Sequence, residues 1–477
     1  MTRIRSSSGI LLGALLALSP AIAAAQGAVA FTHVSVIPMD RERVLPDQTV
    51  LVRGGRIVSI GPAASVQVPA DARRVDGTGR FLIPGLADMH AHLLSDGAVP
   101  DSVAPDELRI MLANGVTTAR LMIGTPEQFP LRAAVARGEV PGPTLFLASP
   151  QFAGRVYGDP RHFNGRAVAT PEQARAAVRE VHAAGYDFVK LTVFISPAVY
   201  DAVVDEAARL GIRVIGHVDP QVGLARALAA GQQIEHLAMY LEAALRDGAP
   251  MTSSVSDYFV YRPANWESLD WIDDAKIDSL GRATAAAGVW TSPTLTFFKL
   301  AFGVGQPDEE VRARPDFAVL PDSLRRQMFE GRDYFWRNPP SAERRARYVE
   351  ARNRMVRAIW QAGGRILAGS DSPELFLVYG WTLHRELESL VEAGLTPWAA
   401  LEAATRNPAE WLGTLAESGT VEPGKRADLV LLDANPLADI RNTQRIAGVM
   451  RAGRWYPAAD LARMIDESSA RIRNSLP

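Results

Sequence analysis

Residues 81–94 read FLIPGLADMHAHLL, a short apolar run entered through Pro84-Gly85 and closing on two histidines one residue apart. The run is too brief for an ordinary helix and reads as a strand. Positions i and i+2 of a strand project to one face, so His90 and His92 can both point at a single ion. The same texture recurs downstream in GVTTARLMI, TLFLAS, YDFVKLTV, IRVIGHV, QQIEHLA, GVWTSPTL and GRILAGSD, which with the first makes eight candidate strands between about residues 81 and 409. Between them, segments such as PEQARAAVREVHAAG, SPAVYDAVVDEAARLG and VGLARALAAG have helical periodicity and end in Gly. Eight β/α units predict an α/β fold, a closed (β/α)8 barrel of the TIM type in preference to an open sheet.

Working outward, both ends of the chain read as β structure. VAFTHVSVIPM and TVLVRGGRIVSIG come first, with Gly54-Gly55 as a two-residue hairpin turn, and ADLVLLDANP and IAGVMRAGRWY return near the end. Chain termini often lie close together, so residues 26–80 and 410–460 are expected to form one small discontinuous β-sandwich domain. The barrel at 81–409 interrupts it, and a helical tail at 461–477 follows. Residues 1–25 combine the basic start MTRIR, the apolar GILLGALLALSPAIA and small residues at Ala23 and Ala25, which predicts a signal peptide cleaved after Ala25. The expected location is periplasmic or secreted, with no stable membrane insertion after cleavage.

Composition narrows the functional classes. The chain has 477 residues, 47% hydrophobic and 22% charged, and its 51 Lys+Arg against 53 Asp+Glu give a net charge of -2, so no broad basic field exists to draw in nucleic acid. With no cysteine, disulfides and thiolate metal ligands are excluded. A small-molecule substrate is the expected partner, and a homo-oligomer is compatible with the sequence.

Chemistry-bearing residues gather at one rim of the expected barrel. His90 and His92 lie near the end of the first strand, Lys190 in the fourth, His217 and His236 at the ends of the fifth and sixth, and Asp371 at the end of the eighth. In this architecture the C-terminal ends of the strands carry the active site. Neutral imidazoles with a hard carboxylate suit zinc, and also Mn, Fe, Co or Ni. Three further residues are candidate substrate contacts: His162 in the loop after the third strand, Tyr240 four residues beyond His236, and Arg120 on the second strand as a partner for a substrate carboxylate. His182 and His384 fall within helices and read as surface or packing residues. Aromatic residues crowd the long connections after the sixth and seventh strands, Phe297 and Phe298 among them, which suggests an apolar pocket for a bulky acyl group.

FLIPGLADMHAHL, VKLTV, IGHV, IEHLA, LAGSDSP and GTVEPGKRADLVLLDANP together resemble the amidohydrolase superfamily across nearly the whole mature chain. The order His-x-His, Lys, His, His, Asp is similar to its two-metal branch, which includes prolidase-like and imidazolonepropionase-related hydrolases. The resemblance implies two divalent cations, zinc first among them. His90 and His92 would hold one together with Asp371, His217 and His236 the other, and an N-carboxylated Lys190 would bridge both. It further implies cleavage of an amide C–N bond in a dipeptide, N-acyl amino acid or related amide. Metal-bound hydroxide would attack, with Asp371 as the catalytic general base and then acid. Charge balance favours the carboxylated lysine, because an ammonium would repel two dications. A lactone or phosphotriester hydrolase on the same site, and a non-catalytic ligand-binding barrel, stay open as alternatives at this point.

Overall fold

The computed structural model describes residues 27–94, 101–157, 164–250, 263–335 and 340–475. The expected signal peptide lies outside them, as does His162.

The chain begins with β1 (Val29–Val36), β2 (Leu45–Arg53), β3 (Arg56–Pro62), β4 (Arg73–Asp76) and β5 (Phe81–Pro84). It continues through β6 (Leu86–Ala91), β7 (Val116–Leu121), β8 (Thr144–Leu147), β9 (Gln151–Ala153), β10 (Gly165–Ala167), β11 (Phe188–Leu191), β12 (Arg213–Gly216), β13 (Gln233–Glu235), β14 (Trp290–Ser292) and β15 (Arg365–Ile366). It ends with β16 (Leu429–Leu432), β17 (Ile446–Arg451), β18 (Arg454–Pro457) and a helix over Ala458–Arg473.

The two ends of the chain meet in one mixed eight-stranded sheet, ordered β18-β17-β16-β5-β1-β2-β3 with β4 paired to β1. Gly54 and Gly55, at φ 59° and 78°, make the β2–β3 turn, whose two central residues both need positive φ. Phe31, Val50, Ile57 and Leu82 from the start of the chain bury against Leu429, Leu431 and Met450 from its end. Removing that apolar surface from water is what joins segments some 400 residues apart in sequence. Strand β5 pairs with both β1 and β16, and Gly85 then passes the chain directly into β6.

All eight runs expected to form the barrel are strands. They make two parallel sheets, β6-β7-β8 and β9-β11-β12-β13-β14-β15 with β10 outside β9. The sheets are joined at both seams. Ala148 bridges to Phe188 at one, and at the other Met89 N donates to Ala368 O at 2.9 Å while Ala91 bridges to Ser372. The strands of these two sheets have two to six residues and are mostly buried, as parallel strands covered by helices are. The terminal helix closes over the helix Ala104–Ala113, where Arg471 Nη2 lies 2.7 Å from Asp106 Oδ1.

Candidate metal centre

Parallel strands all present their C-terminal ends on the same side, and six chemistry-bearing side chains collect there. His90 lies in β6 with His92 just after it, Lys190 in β11, His217 directly after β12, His236 directly after β13, and Asp371 five residues beyond β15. All six line one cavity of about 270 Å³. Asp371 sits at its centre: Oδ1 is 3.1 Å from His90 Nε2 and 3.2 Å from His92 Nε2, and Oδ2 is 3.8 Å from His236 Nδ1. Ring centroids of His90 and His236 are 4.5 Å apart, and those of His217 and His236 4.8 Å. Ligand atoms of His90, His236 and Asp371 lie within 4.8 Å of one another, close enough to share one cation.

Local backbone geometry makes this convergence possible. His236 and Asp371 have φ of 57° and 58°, a region that side chains other than Gly and Asn rarely occupy, so each turns off its strand sharply toward the cavity. Backbone bonds hold those turns: His236 N to Ser292 O at 2.8 Å and Asp371 N to His90 O at 2.7 Å. Asp88 Oδ1 accepts from both His90 N and Ser370 N, tying the first barrel strand to the segment that carries Asp371. Gly369 permits the approach, since a Cβ there would lie 2.6 Å from His90 Cβ and 2.5 Å from Ser292 Oγ.

The electrostatics suit a divalent cation. Burial, reinforced by the charges of Lys190 and His90, holds His217 down to about 3. Burial likewise keeps His236 well below its ordinary value against the pull of Asp371, so both rings are neutral and offer lone pairs. Thr294 gives its hydroxyl proton to Pro293 O at 2.9 Å and therefore accepts from His236 Nδ1 at 2.7 Å, which leaves His236 Nε2 with the lone pair. His90 Nδ1 is likewise taken, 2.6 Å from Glu235 Oε2. His92 Nδ1 is buried without a partner. Burial would raise Asp371, but the charge of His90 and hydrogen bonds from His90 and His92 keep it well below the carboxylate range. Burial brings Lys190 down to about 8 against the pull of Glu235 and Asp371. Neutral imidazoles, a carboxylate and an unpartnered ring nitrogen in one enclosed cluster are a donor set that fits metal ions.

Two expected substrate contacts are elsewhere. Arg120 is fully buried beneath the cavity, where Nε donates to Met89 O at 2.6 Å, Nη1 to Gln233 Oε1 at 2.8 Å and Nη2 to Glu235 Oε1 at 2.6 Å. Its charge is spent on the barrel interior, so it cannot pair with a substrate carboxylate. Tyr240 is also fully buried, its hydroxyl 2.9 Å from Thr284 Oγ1. Positive φ at His236, Leu237 and Met239 turns the chain so that the ring lies in the core and not in the cavity. Sequence reasoning missed Glu235, which anchors His90, and Arg352, which lines the cavity together with the expected aromatics Phe297 and Phe298. The signal for Glu235 was present in QQIEHLA, where Gln233 and Glu235 alternate with apolar Ile234 and so share one face with a buried arginine opposite.

Comparison with known proteins follows the same lines. A structure described as "putative prolidase from Bifidobacterium longum" is 27% identical, with a TM-score of 0.66, covering 92% of this chain and 98% of that one. A bottromycin amidohydrolase is 24% identical with a TM-score of 0.71 over 93% of this chain and 90% of that one, a likeness of fold. Adenine deaminase of Rubrobacter xylanophilus is 24% identical over 436 residues, 87% of this chain and 55% of the relative, so the chain spans about half the length of that curated relative. The model of the amidohydrolase family matches residues 81–456, which takes in all six cavity side chains and the returning strands β16 and β17. The chain belongs to the amidohydrolase family.

Proposed function

We propose that the protein is an exported, metal-dependent hydrolase that cleaves an amide C–N bond in a small molecule such as a dipeptide, an N-acyl amino acid or a related amide. The observation that carries this reading is the position of Asp371, within 3.2 Å of two histidine nitrogens and central to a cavity with two further neutral imidazoles and a lysine. Family membership and the prolidase-like neighbour support the choice of an amide bond. The basic and then apolar start of the sequence supports export, and no described helix is long and apolar enough to cross a membrane.

In this reading His90, His92 and Asp371 would hold one divalent cation, zinc in the first instance, and His217 and His236 would hold a second. Such ions supply a Lewis acid for the carbonyl and lower the pKa of water toward neutrality. Lys190, carboxylated on its amine, would add carbamate oxygens to the ligand set. An amine brought to about 8 is in part unprotonated at neutral pH, and a neutral amine is the form that adds carbon dioxide, releasing one proton. Asp371, whose carboxylate lies among His90, His92 and His236, would take the proton of the attacking water at one carboxylate oxygen. The same oxygen returns it to the departing nitrogen. Phe297, Phe298 and Leu241 give the cavity an apolar wall that excludes water from the acyl or side-chain portion of the substrate.

The test is a hydrolysis screen of metal-loaded protein across dipeptides, N-acyl amino acids, aryl amides, lactones and phosphotriesters, with metal content measured on the same samples and Asp371→Asn alongside. Amide turnover that tracks about two equivalents of metal and is lost in the folded variant supports the reading. A folded protein that takes up no metal, or turnover confined to lactones or phosphotriesters, overturns it.

A further inference from the structure

Arg352 is 3% exposed and lines the cavity. Of its five N–H groups, Nη2 donates to His236 O at 2.6 Å and Pro293 O at 3.2 Å, and Nη1 to Tyr348 Oη at 3.3 Å. Nε is buried without a partner, and one Nη1 hydrogen is also free. No described carboxylate forms an ion pair with it, although Glu242 and Glu386 lie near enough for their charges to favour its charged form. A buried cation satisfied only by carbonyl and phenol oxygens is costly, and a negative ligand would repay that cost.

The surroundings say what kind of anion fits. The guanidinium carbon lies 3.4 Å from the centroid of the Phe298 ring, a cation–π contact that restrains the side chain. A planar, rigid fork with donors to spare matches a carboxylate better than a point charge would. Phe297 and Leu241 beside it offer contact to an apolar side chain. Since Nη2 touches the carbonyl of His236, this anion site is one residue removed from the histidine cluster.

We infer that Arg352 is the specificity-determining residue for a substrate carboxylate, and that the preferred amides carry a free carboxylate and an apolar side chain on the same half of the molecule. This rests on reading the cavity as the substrate site. The role first looked for in Arg120 passes to a residue on the helix Ala342–Gln361.

Ligands that cannot be hydrolysed keep the test separate from turnover. Calorimetric titration of the metal-loaded protein with 3-phenylpropanoate and with 3-phenylpropan-1-ol compares one carboxylate with one neutral partner of the same shape. The expected result is a preference of about tenfold or more for the carboxylate, abolished in Arg352→Met with affinity for the alcohol retained. Equal binding of the two ligands by the wild type overturns the inference, as does a preference that survives in Arg352→Met, since the carboxylate would then be binding the metal. Loss of both ligands together with loss of metal also overturns it, because Arg352 would then act only as a brace for His236. Arg352→Lys keeps a cation near the two carbonyls and guards against a variant that does not fold: a preference reduced several-fold supports the inference, and an unchanged one contradicts it. Hydrolysis of N-acetyl-phenylalanine is read separately. Its absence with carboxylate preference intact counts against the amide-hydrolase reading alone, and its presence without that preference counts against Arg352 alone.

Discussion

His90 Nδ1 lies 2.6 Å from Glu235 Oε2, with the two side chains 1% and 0% exposed. The other oxygen of Glu235 holds Arg120 Nη2 at 2.6 Å, so one carboxylate orients a candidate ligand and neutralises a buried cation at the same time. A ring whose Nδ1–H is held by a carboxylate presents Nε2 as a more basic donor toward the cavity. Glu235→Gln replaces an acceptor for two donors by a group with one acceptor, and one of the two contacts must fail. The expected outcome is a loss of about 10- to 100-fold in metal affinity, read by chelator competition, with kcat falling in parallel. Unchanged affinity would show that His90 does not depend on Glu235.

Arg120→Ala is expected to act on stability and not on substrate choice. The substitution leaves Glu235 buried without its cation, strips donors from Met89 O and Gln233, and removes a guanidinium 4.9 Å from the Trp411 ring. Breaking a buried pair from one side costs about 3–5 kcal/mol, which urea unfolding would register as a lower midpoint with an unchanged slope. A selective rise in KM for acidic substrates, with stability intact, would mean that Arg120 reaches the cavity after all.

Gly369→Ala tests how tightly the segment carrying Asp371 must approach β6. The added methyl would meet His90 Cβ at 2.6 Å and His90 N at 3.0 Å, so either the strand or the imidazole has to move. Overpacking of this kind costs on the order of 1–3 kcal/mol. The expected result is a lowered Tm together with weaker metal retention, because the atom displaced belongs to a candidate ligand. A drop in Tm without any change in metal binding would place the strain elsewhere.

Much of this arrangement is legible in the sequence, and the reasons for the rest are physical. Eight short apolar runs alternating with Gly-terminated helices specify a parallel fold, and that alone puts His90, His92, Lys190, His217, His236 and Asp371 on one side. Parallel strands share a direction, so position within a strand reads out directly as position in space. Contacts that depend on departures from regular geometry are not readable this way. Tyr240, four residues beyond His236, was expected at the substrate, but positive φ at His236, Leu237 and Met239 sends it into the core. Arg352 lies in a helix of 20 residues rich in arginine, and only the packing of that helix against Phe298 and His236 O distinguishes it from its solvated neighbours. The pairing of both chain ends in one sheet accords with the strand texture that recurs at the two ends, since chain termini often lie close together.

His384 gives a pH dependence free of the metal centre. It lies in the helix Trp381–Glu392, 1% exposed, with Nε2 donating to Asn114 O at 3.0 Å and Nδ1 at 3.0 Å from Thr443 Oγ1. Burial pushes it down from its ordinary 6.5 to about 4, outweighing the Asn114 carbonyl, which pulls the other way. Between those values the unfolded chain binds the proton and the folded one does not, so the stabilisation is complete above pH 6.5 and is lost as pH falls toward 4. The size of the effect is on the order of 3 kcal/mol. Urea midpoints of metal-free wild type and His384→Gln, taken from pH 7 down to 4.5, isolate it as the difference between the two slopes, since other groups titrate alike in both. The variant is expected to start less stable, having lost the imidazole's fit between Asn114 and Thr443, and to lose less on acidification. Parallel curves would mean that His384 takes up its proton without unfolding, and that the junction it makes between the helix Ala104–Ala113 and the segment Ile440–Gln444 tolerates a charge.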